Sequence, residues 1–219
     1  MITEEFLNPK SIVVVGGSND LHKPGGKVIK NLKDTRYPGD IYIVNPKADT
    51  IQELTSYHTV EEIPGAEVAI LAIPAALCLH AVETLCSTKG TKGVIIFSAG
   101  FSEESHEGAV LEKKIRDVAD KHGATLIGPN CVGYMNEHYA GVFTSPIPRF
   151  VPDSIDLISG SGATALFIID AAVQLGIPFA NVFSVGNSAQ TGLEEALEYL
   201  DQSYVHGKSA PVKLIYAET

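Results

Sequence analysis

Apolar and polar positions alternate along the chain in a pattern that predicts strands and helices in turn. Five apolar runs of strand length occupy residues 11–15, 40–44, 67–73, 93–98 and 124–127. Helical spacing of apolar residues separates them, most clearly over residues 103–122, where Val110, Leu111, Ile115, Val118 and Ala119 share one face. Strands that alternate with helices predict an α/β fold with a doubly wound parallel sheet and a ligand crevice along its carboxyl edge.

The same rhythm stops and restarts in the last third of the chain. Three prolines, Pro146, Pro148 and Pro152, lie within seven residues and indicate a linker. Further strands are predicted at residues 154–158, 180–185 and 212–217, with helices between them. We therefore expect one domain over residues 1–147 and the first part of another over residues 148–219. A sheet of three strands leaves an exposed edge, so we expect the chain to be a fragment or to need a partner.

Composition and charge narrow the classes of function. The chain has 219 residues and a net charge of −10, which argues against a nucleic-acid surface or an anionic membrane as partner. Its three cysteines (Cys78, Cys86 and Cys131) are odd in number and lie in apolar contexts, as reduced thiols do in a cytoplasm. Neither a metal-ligand spacing nor a secretory signal is present. We expect a soluble cytoplasmic protein without a metal site of its own.

The turn after the first strand has the character of a phosphate-binding loop. Residues 11–15 run into Gly16-Gly17-Ser18-Asn19, and a helix is predicted to begin near Gly25-Gly26. Glycines let the backbone approach a phosphate closely, and the helix N-terminus adds partial positive charge. A plain strand-to-helix turn without a ligand is the alternative interpretation.

Two details of this region favour coenzyme A over a nicotinamide cofactor. The dinucleotide fingerprint G-x-G-x-x-G is broken, because Ser18 stands where the second glycine of the pattern should be. The second strand is followed by Lys47 rather than by the acidic residue that would hold a ribose diol. A lysine at this position attracts a phosphate, so a ligand with additional phosphate groups is expected.

Seven short motifs occur in a specific order: VVVGGSND, YIVNPK, AIP, FSAGF, GPNCVG, ISGSGA and SVGN. In this order and spacing the chain closely resembles the ADP-forming acyl-CoA (acetyl-CoA) synthetases and, more distantly, the α subunit of succinyl-CoA synthetase. The resemblance extends over residues 2–218. It implies a Rossmann-like domain that binds coenzyme A, followed by a flavodoxin-like ligase domain whose histidine is transiently phosphorylated. A separate ATP-grasp domain or subunit, absent from this sequence, would bind ADP or ATP with magnesium.

The resemblance also implies a set of coenzyme A contacts on the loops that follow successive strands. The phosphates are expected at Gly17, Ser18, Asn19 and Asp20, and Lys47 after the second strand contacts the same cofactor. The other contacts are Ile73 and Pro74 at the end of the third strand, Ser98, Ala99 and Gly100 after the fourth, and Asn130 and Cys131 near the thiol.

The phosphate is expected on the second domain. By resemblance, Ser161, Gly162 and Ala163 form the helix N-terminus that holds it, and Glu218 orients the catalytic histidine. Gly160 departs from the family pattern, which often has glutamine there. None of the histidines lies in a matching motif: His22, His58, His80, His106, His122, His138 and His206. Among them only His206, which follows a predicted helix, is kept as an alternative site of phosphorylation. The phosphorylated histidine is expected beyond residue 219.

The implied reaction of the full protein converts acyl-CoA, ADP and phosphate into a carboxylic acid, coenzyme A and ATP. We expect the chain alone to bind coenzyme A without turnover, and to need the rest of the ligase domain and the ATP-grasp part as partners. A non-catalytic coenzyme A or nucleotide sensor remains an alternative, as does a nicotinamide-binding regulator. Cys131 could be a nucleophile, and the alternative is that it is a small buried thiol. Ser161 could be a catalytic serine, and the alternative is that it helps to bind an anion.

Overall fold

The computed structural model describes residues 2–205 and 209–218, and His206 therefore lies outside the described residues. No helix in these ranges has both the length and the apolar character needed to cross a membrane. The elements in chain order are α1 (Glu4–Leu7), β1 (Ser11–Val15), α2 (Pro24–Asp34), β2 (Asp40–Val44), β3 (Thr50–Ile51), β4 (Leu54–Tyr57), β5 (Val68–Leu71), α3 (Ala75–Thr88), β6 (Gly93–Ile96), α4 (His106–His122), β7 (Thr125–Ile127), β8 (Gly133–Asn136), β9 (Ala140–Val142), β10 (Ile155–Ser159), α5 (Gly162–Leu175), β11 (Asn181–Ser184), α6 (Leu193–Val205) and β12 (Val212–Tyr216).

The first sheet confirms the predicted parallel α/β layer. Its order is β3-β4-β2-β1-β5-β6-β7, and all neighbours pair in parallel except β3 and β4, which form a hairpin. The five predicted strands are β1, β2, β5, β6 and β7. Strand β1 lies at the centre because its side chains from Ile12 to Val15 are buried by helices on both faces. The carboxyl ends of the parallel strands therefore share one edge of the sheet.

The second sheet contains the three predicted strands and two that were not predicted. Its order is β12-β10-β11-β8-β9, with β8 and β9 antiparallel to their neighbours. Strands β8 and β9 are short and contain Gly133, Asn136 and Gly141, so neither has the continuous apolar run that predicted β5, β6 and β7. Both precede residue 147 yet pair within the second sheet, which by hydrogen bonding begins at Gly133. The domain boundary at residue 147 stays a prediction.

A cluster of aromatic rings packs between the two sheets. Tyr134 on β8 lies with its ring centroid 4.9 Å from that of Phe6 and 4.5 Å from that of Phe183. Tyr139 packs on Tyr134 at 5.6 Å, and its hydroxyl donates to the Phe6 carbonyl at 2.9 Å. All four side chains are buried and belong to one core with residues of both sheets. The sheets are thus held in one arrangement by packing as well as by the chain.

A buried ion pair anchors the edge strand β12. Asp156 on β10 is fully buried and faces Lys213 on β12, whose Nζ lies 2.8 Å from its Oδ2. The carboxylate also accepts from the Nδ2 of Asn181 at 2.8 Å and from the Ala210 N–H at 3.1 Å. A buried charge with this many donors is compensated, and the removal of its partner is costly.

We predict that Asp156→Ala lowers the free energy of unfolding by about 3 kcal/mol, because Lys213 and two other donors lose their acceptor inside the protein. Asp117→Ala is the matched control, since Asp117 pairs with Lys113 on the solvent face of α4 and should have little measurable effect. Urea denaturation followed by circular dichroism measures both. Equal effects of the two substitutions would show that β12 is not anchored by this pair.

Candidate functional site

The loops predicted to bind coenzyme A form one continuous edge of the first sheet. The Nδ2 of Asn45, after β2, donates to the Gly17 carbonyl at 2.8 Å. The Ser98 hydroxyl, after β6, donates to the Ile73 carbonyl, and the Asn130 N–H donates to the Ser98 carbonyl at 2.9 Å. The loops after β2, β1, β5, β6 and β7 therefore touch in that order. The predicted residues lie along one line rather than in separate places.

The turn after β1 has free donors, but not at every position. Gly16, at φ +88°, and Gly17 both donate their N–H to the Val44 carbonyl, at 2.9 and 3.2 Å. Asp20 is held by its N–H bond to Ser18 Oγ at 3.0 Å. Within the described ranges the N–H groups of Ser18 and Asn19 have no protein acceptor, and these are the donors that remain for an anion.

Two glycines let helix α2 start directly against this turn. A Cβ atom on Gly25 would overlap the Gly16 carbonyl oxygen, and one on Gly26 would overlap the Asp20 carbonyl oxygen. Neither overlap can be relieved by a side-chain rotation, because both involve backbone atoms. Helix α2 has no side-chain cap at Lys23, Pro24 has no N–H, and the Gly26 N–H donates to the Lys23 carbonyl at 3.0 Å. Among the described residues, the Gly25 N–H in this first turn therefore has no protein acceptor.

Gln52 also holds the turn, and sequence reasoning missed it. It sits at φ +48° in the two-residue hairpin between β3 and β4, which lacks the usual Asn-Gly signal. Its Nε2 donates to the Ser18 carbonyl at 3.0 Å and to the Gly26 carbonyl at 2.8 Å, and its N–H donates to Asn19 Oδ1 at 2.7 Å. A single side chain therefore ties the loop to the helix.

Lys47 is exposed at the carboxyl end of β2. Its N–H donates to Asn45 Oδ1 at 2.8 Å, which fixes the backbone of the turn. Its Nζ has neither an ion-pair nor a hydrogen-bond partner in the described part of the chain. Lys47 is therefore a cation available to a ligand on this edge.

The loop after β6 is partly closed by its own carboxylate. Glu103 Oε1 accepts from the N–H of Gly100 at 2.7 Å and of Phe101 at 3.2 Å. Partial burial would raise the pKa of Glu103, but the hydrogen bonds from Asn187 and from the loop N–H groups outweigh it and lower the pKa. Of the predicted contacts, Ala99 is exposed, whereas the Gly100 N–H already has an acceptor.

A cavity of about 500 Å³ lies where the two sheets meet, and it gathers predicted residues from both domains. Its lining is Phe97, Asn130, Cys131, Val132, Phe143, Gly160, Ser161, Gly162, Ala163, Leu166, Gly186, Asn187 and Glu218. The predicted thiol end of coenzyme A, the predicted phosphate site and the predicted catalytic glutamate thus face one space. These residues are up to 88 positions apart in the chain.

The N-terminus of α5, predicted to bind phosphate, lines one part of this cavity. Ser161 caps the helix, with its Oγ accepting from the Thr164 N–H at 3.3 Å. The N–H groups of Gly162 and Ala163 have no protein acceptor among the residues described. Glu218 follows β12, and a Cβ atom at Gly160 would lie 3.9 Å from its Cβ. The open N–H groups at this helix N-terminus are suited to a phosphate. The neighbouring carboxylate of Glu218 is suited to accept a hydrogen bond from an N–H or O–H group.

Neither nucleophile considered from the sequence is favoured. Burial raises the pKa of the Cys131 thiol to about 12, and its Sγ donates to the Ile96 carbonyl at 3.3 Å. Cys131 is therefore a neutral, buried thiol at neutral pH. The Ser161 hydroxyl is engaged as a helix cap, and no described histidine lines the cavity to activate it.

Asn187 connects the two sheets at the mouth of the cavity, and it was not selected from the sequence as a site residue. Its N–H donates to the Pro129 carbonyl at 2.9 Å, and its Nδ2 lies 2.9 Å from Glu112 Oε2 and close to Glu103. Gly186 precedes it at φ +57°, where a Cβ atom would overlap the Pro129 carbonyl oxygen. The motif SVGN contains Asn187 and could have pointed to it, but its partners Pro129, Glu103 and Glu112 are distant in the sequence and are identified only by the fold.

Comparison with known proteins identifies both halves. The family model described as CoA binding domain matches residues 10–137, and the model described as succinyl-CoA ligase like flavodoxin domain matches residues 152–217. The first match covers more than half of the chain.

Individual relatives agree with these models. The chain is 39% identical to the α subunit of acetate–CoA ligase [ADP-forming] II from Pyrococcus furiosus, over 89% of this chain and 42% of the relative. It is 36% identical to acetate–CoA ligase [ADP-forming] I from Archaeoglobus fulgidus, over 98% of this chain and 30% of the relative. The chain also superposes on a solved structure of acetyl-coenzyme A synthetase 1 from Ca. Korarchaeum cryptofilum in complex with phosphate and ADP. The TM-score is 0.87 and the identity 28%, over 99% of this chain and 45% of that one. The chain thus spans less than half the length of these relatives.

We predict that Gly26→Ala destabilises the protein by at least about 1 kcal/mol, although alanine favours a helix, because its Cβ atom meets a backbone carbonyl. Gly160→Ala is the matched control: its Cβ atom would have no neighbour closer than 3.7 Å, so stability should change by less than about 0.5 kcal/mol. Denaturant unfolding measures both. A neutral Gly26→Ala would show that the turn and α2 are not in close contact.

We predict that the three thiols are unreactive in the folded protein at pH 8. Burial raises the pKa of Cys78 and Cys131 to about 12 and that of Cys86 to about 11, so the reactive thiolate is scarce at that pH. Ellman's reagent should label no thiol quickly in buffer and all three in denaturant. Rapid native labelling that Cys131→Ser abolishes would restore Cys131 as a nucleophile.

Proposed function

The chain belongs to the family of CoA-binding domains, here joined to a succinyl-CoA ligase-like flavodoxin domain, and from this we propose that it is the CoA-binding part of an ADP-forming acetate–CoA ligase. The full protein converts acyl-CoA, ADP and phosphate into a carboxylic acid, coenzyme A and ATP, and catalyses the reverse. It is an acid–thiol ligase. The sensor alternative is not favoured, because curated relatives at 34–39% identity are named as such ligases.

The cavity between the sheets is the observation that carries this proposal. Asn130 and Cys131, which we propose to lie at the thiol end of coenzyme A, line it together with the open N-terminus of α5 and Glu218. A thioester and a phosphate held in one space are the two reactants of the first step. A plain sensor of coenzyme A has no need for a phosphate site at the thiol end.

The first step joins the two reactants. A phosphate oxygen attacks the thioester carbon, the C–S bond breaks, and coenzyme A leaves as its thiolate while acyl phosphate forms. The Gly162 and Ala163 N–H groups hold the phosphate oxygens, and the partial positive charge of α5 balances their charge. Positioning by fixed N–H groups suits this reaction, because the donors need no rearrangement as charge develops.

The second step needs groups outside this chain. A histidine nitrogen takes the phosphoryl group from acyl phosphate, releases the carboxylate, and passes the phosphoryl group to ADP. Glu218 orients this histidine, which belongs to the remainder of the ligase domain. The described residues include no group of three or more histidine, cysteine or acidic side chains that could hold a metal ion. The resemblance to the ligase family is the reason to assign magnesium, with the nucleotide, to an ATP-grasp domain or subunit. The proposed location of the protein is cytoplasmic.

We predict that the chain binds coenzyme A and that Lys47→Ala weakens binding about five- to tenfold, because one charge-assisted contact to a phosphate is lost. Lys47 follows the second strand, where Rossmann-like folds hold the adenosine ribose, so its partner is the 3′-phosphate. The same variant should bind 3′-dephospho-coenzyme A as well as the unmodified chain does. Isothermal titration calorimetry at fixed ionic strength measures all four affinities.

Lys121→Ala is the matched control, because Lys121 is equally exposed but lies in the last turn of α4, away from the carboxyl edge of the sheet. NAD and ADP serve as comparison ligands. Binding of NAD without coenzyme A would contradict the ligase proposal. Equal affinities for coenzyme A before and after Lys47→Ala would leave Lys47 as a surface lysine.

A further inference from the structure

Apolar side chains line the cavity next to its polar groups. Phe97 and Val132 are buried there, and Phe143 and Leu166 are half-buried. We call these four side chains the apolar wall. They come from four places in the chain: the end of β6, the start of β8, the end of β9 and the first turns of α5. Neither the CoA edge nor the phosphate site uses any of them.

The two aromatic rings of the wall are held in a defined geometry. The centroids of Phe97 and Phe143 are 4.9 Å apart, and their planes cross at 71°, which is an edge-to-face contact. Gly133, at φ +115°, lies beneath Phe97, where a Cβ atom would be 3.0 Å from Cε1 of the ring. The wall is therefore a fixed surface of the cavity.

The wall lies within reach of the reacting carbon. Leu166 is four residues after Gly162 and thus one helical turn away on the same face of α5. Reacting atoms must approach to about 3–3.5 Å, so a thioester carbon in reach of a phosphate at Gly162 carries its acyl group into this part of the cavity.

The charges of the cavity select against a charged acyl group. Glu218 is the one charged side chain that lines it among the residues the structure describes, and no lysine, arginine or histidine does. A second carboxylate on the acyl group would meet a like charge and an apolar wall, without a cation to compensate it. An uncharged acyl chain would instead bury its methylene groups.

We propose that Phe143 and Leu166, with Phe97 behind them, are specificity-determining residues that bind an uncharged, apolar acyl group and exclude a dicarboxylate-derived one. The proposal rests on the proposed function, because it requires a thioester in this cavity. It names these side chains as the contact for the acyl group, separate from the contacts for coenzyme A and phosphate.

The test compares thioesters that differ only in the acyl group. Calorimetry measures the affinity of the chain for coenzyme A, acetyl-CoA, butyryl-CoA and succinyl-CoA; the last two have four-carbon chains that end in a methyl group and a carboxylate. Each buried methylene strengthens binding about fourfold, so butyryl-CoA, which has two more methylenes, should bind about fifteenfold more tightly than acetyl-CoA. Succinyl-CoA should bind no more tightly than coenzyme A.

Substitutions on both sides of the wall should remove this preference. Phe143→Ala and Leu166→Ala should each reduce the butyryl-to-acetyl ratio to less than about threefold and leave the affinity for coenzyme A within about twofold. The second variant decides the result if the first does not fold. Phe167→Ala is the matched control, since Phe167 is the neighbour of Leu166 on α5, is 76% exposed and does not line the cavity; its ratio should be unchanged.

The outcomes separate the two proposals. Coenzyme A binding with the same butyryl-to-acetyl ratio in the unmodified chain and in Leu166→Ala would overturn the wall but not the ligase proposal. Tighter binding of succinyl-CoA than of butyryl-CoA would do the same. Failure of coenzyme A and every thioester to bind would overturn the proposed function and this inference with it.

Discussion

The aromatic contact between the two sheets is the interaction on which the site depends. Phe6, Tyr134, Tyr139 and Phe183 fill the space between them, and the chain crosses from β7 to β8 within five residues. Because Asn130 and Cys131 lie in that crossing, packing of Tyr134 fixes their position relative to α5. If the sheets were free to separate, the loop proposed to hold the thiol end of coenzyme A and the proposed phosphate site would no longer share a cavity.

A protein with a large negative net charge repels an anionic ligand, so the groups that contact such a ligand must offset this repulsion locally. The net charge is −10, yet the candidate contacts are mostly backbone N–H groups: those of Ser18 and Asn19 after β1, and those of Gly162 and Ala163 in α5. Lys47 supplies an exposed cation at the carboxyl end of β2. Backbone donors held by secondary structure attract an anion without a change in net charge and without ordering a long side chain. The glycines at these turns are what allow the backbone to come close enough.

Sequence reasoning succeeded where the local pattern is strong. The runs predicted at residues 11–15 and 93–98 are apolar, end in small residues and contain β1 and β6, and a buried parallel strand needs that pattern. It failed at β8 and β9, because Gly133 and Asn136 in β8 and Gly141 in β9 leave them without the continuous apolar run that predicted β5, β6 and β7. Gln52 and Asn187 were missed for a different reason: their role comes from partners 26 to 85 positions away, which no local pattern encodes.

The amino-acid sequence by itself determined the parallel α/β architecture, the family and the position, at the carboxyl edge, of the loops predicted to bind coenzyme A, because each follows from residue types at short spacing. Only the tertiary structure decided that Asn130, Ser161 and Glu218 line one cavity, that Glu103 already occupies the Gly100 N–H, and that Cys131 is a buried neutral thiol. It also produced the apolar wall, whose four members come from separate elements. These features depend on how the two sheets pack, and packing is set by burial across the whole chain rather than by any segment of it.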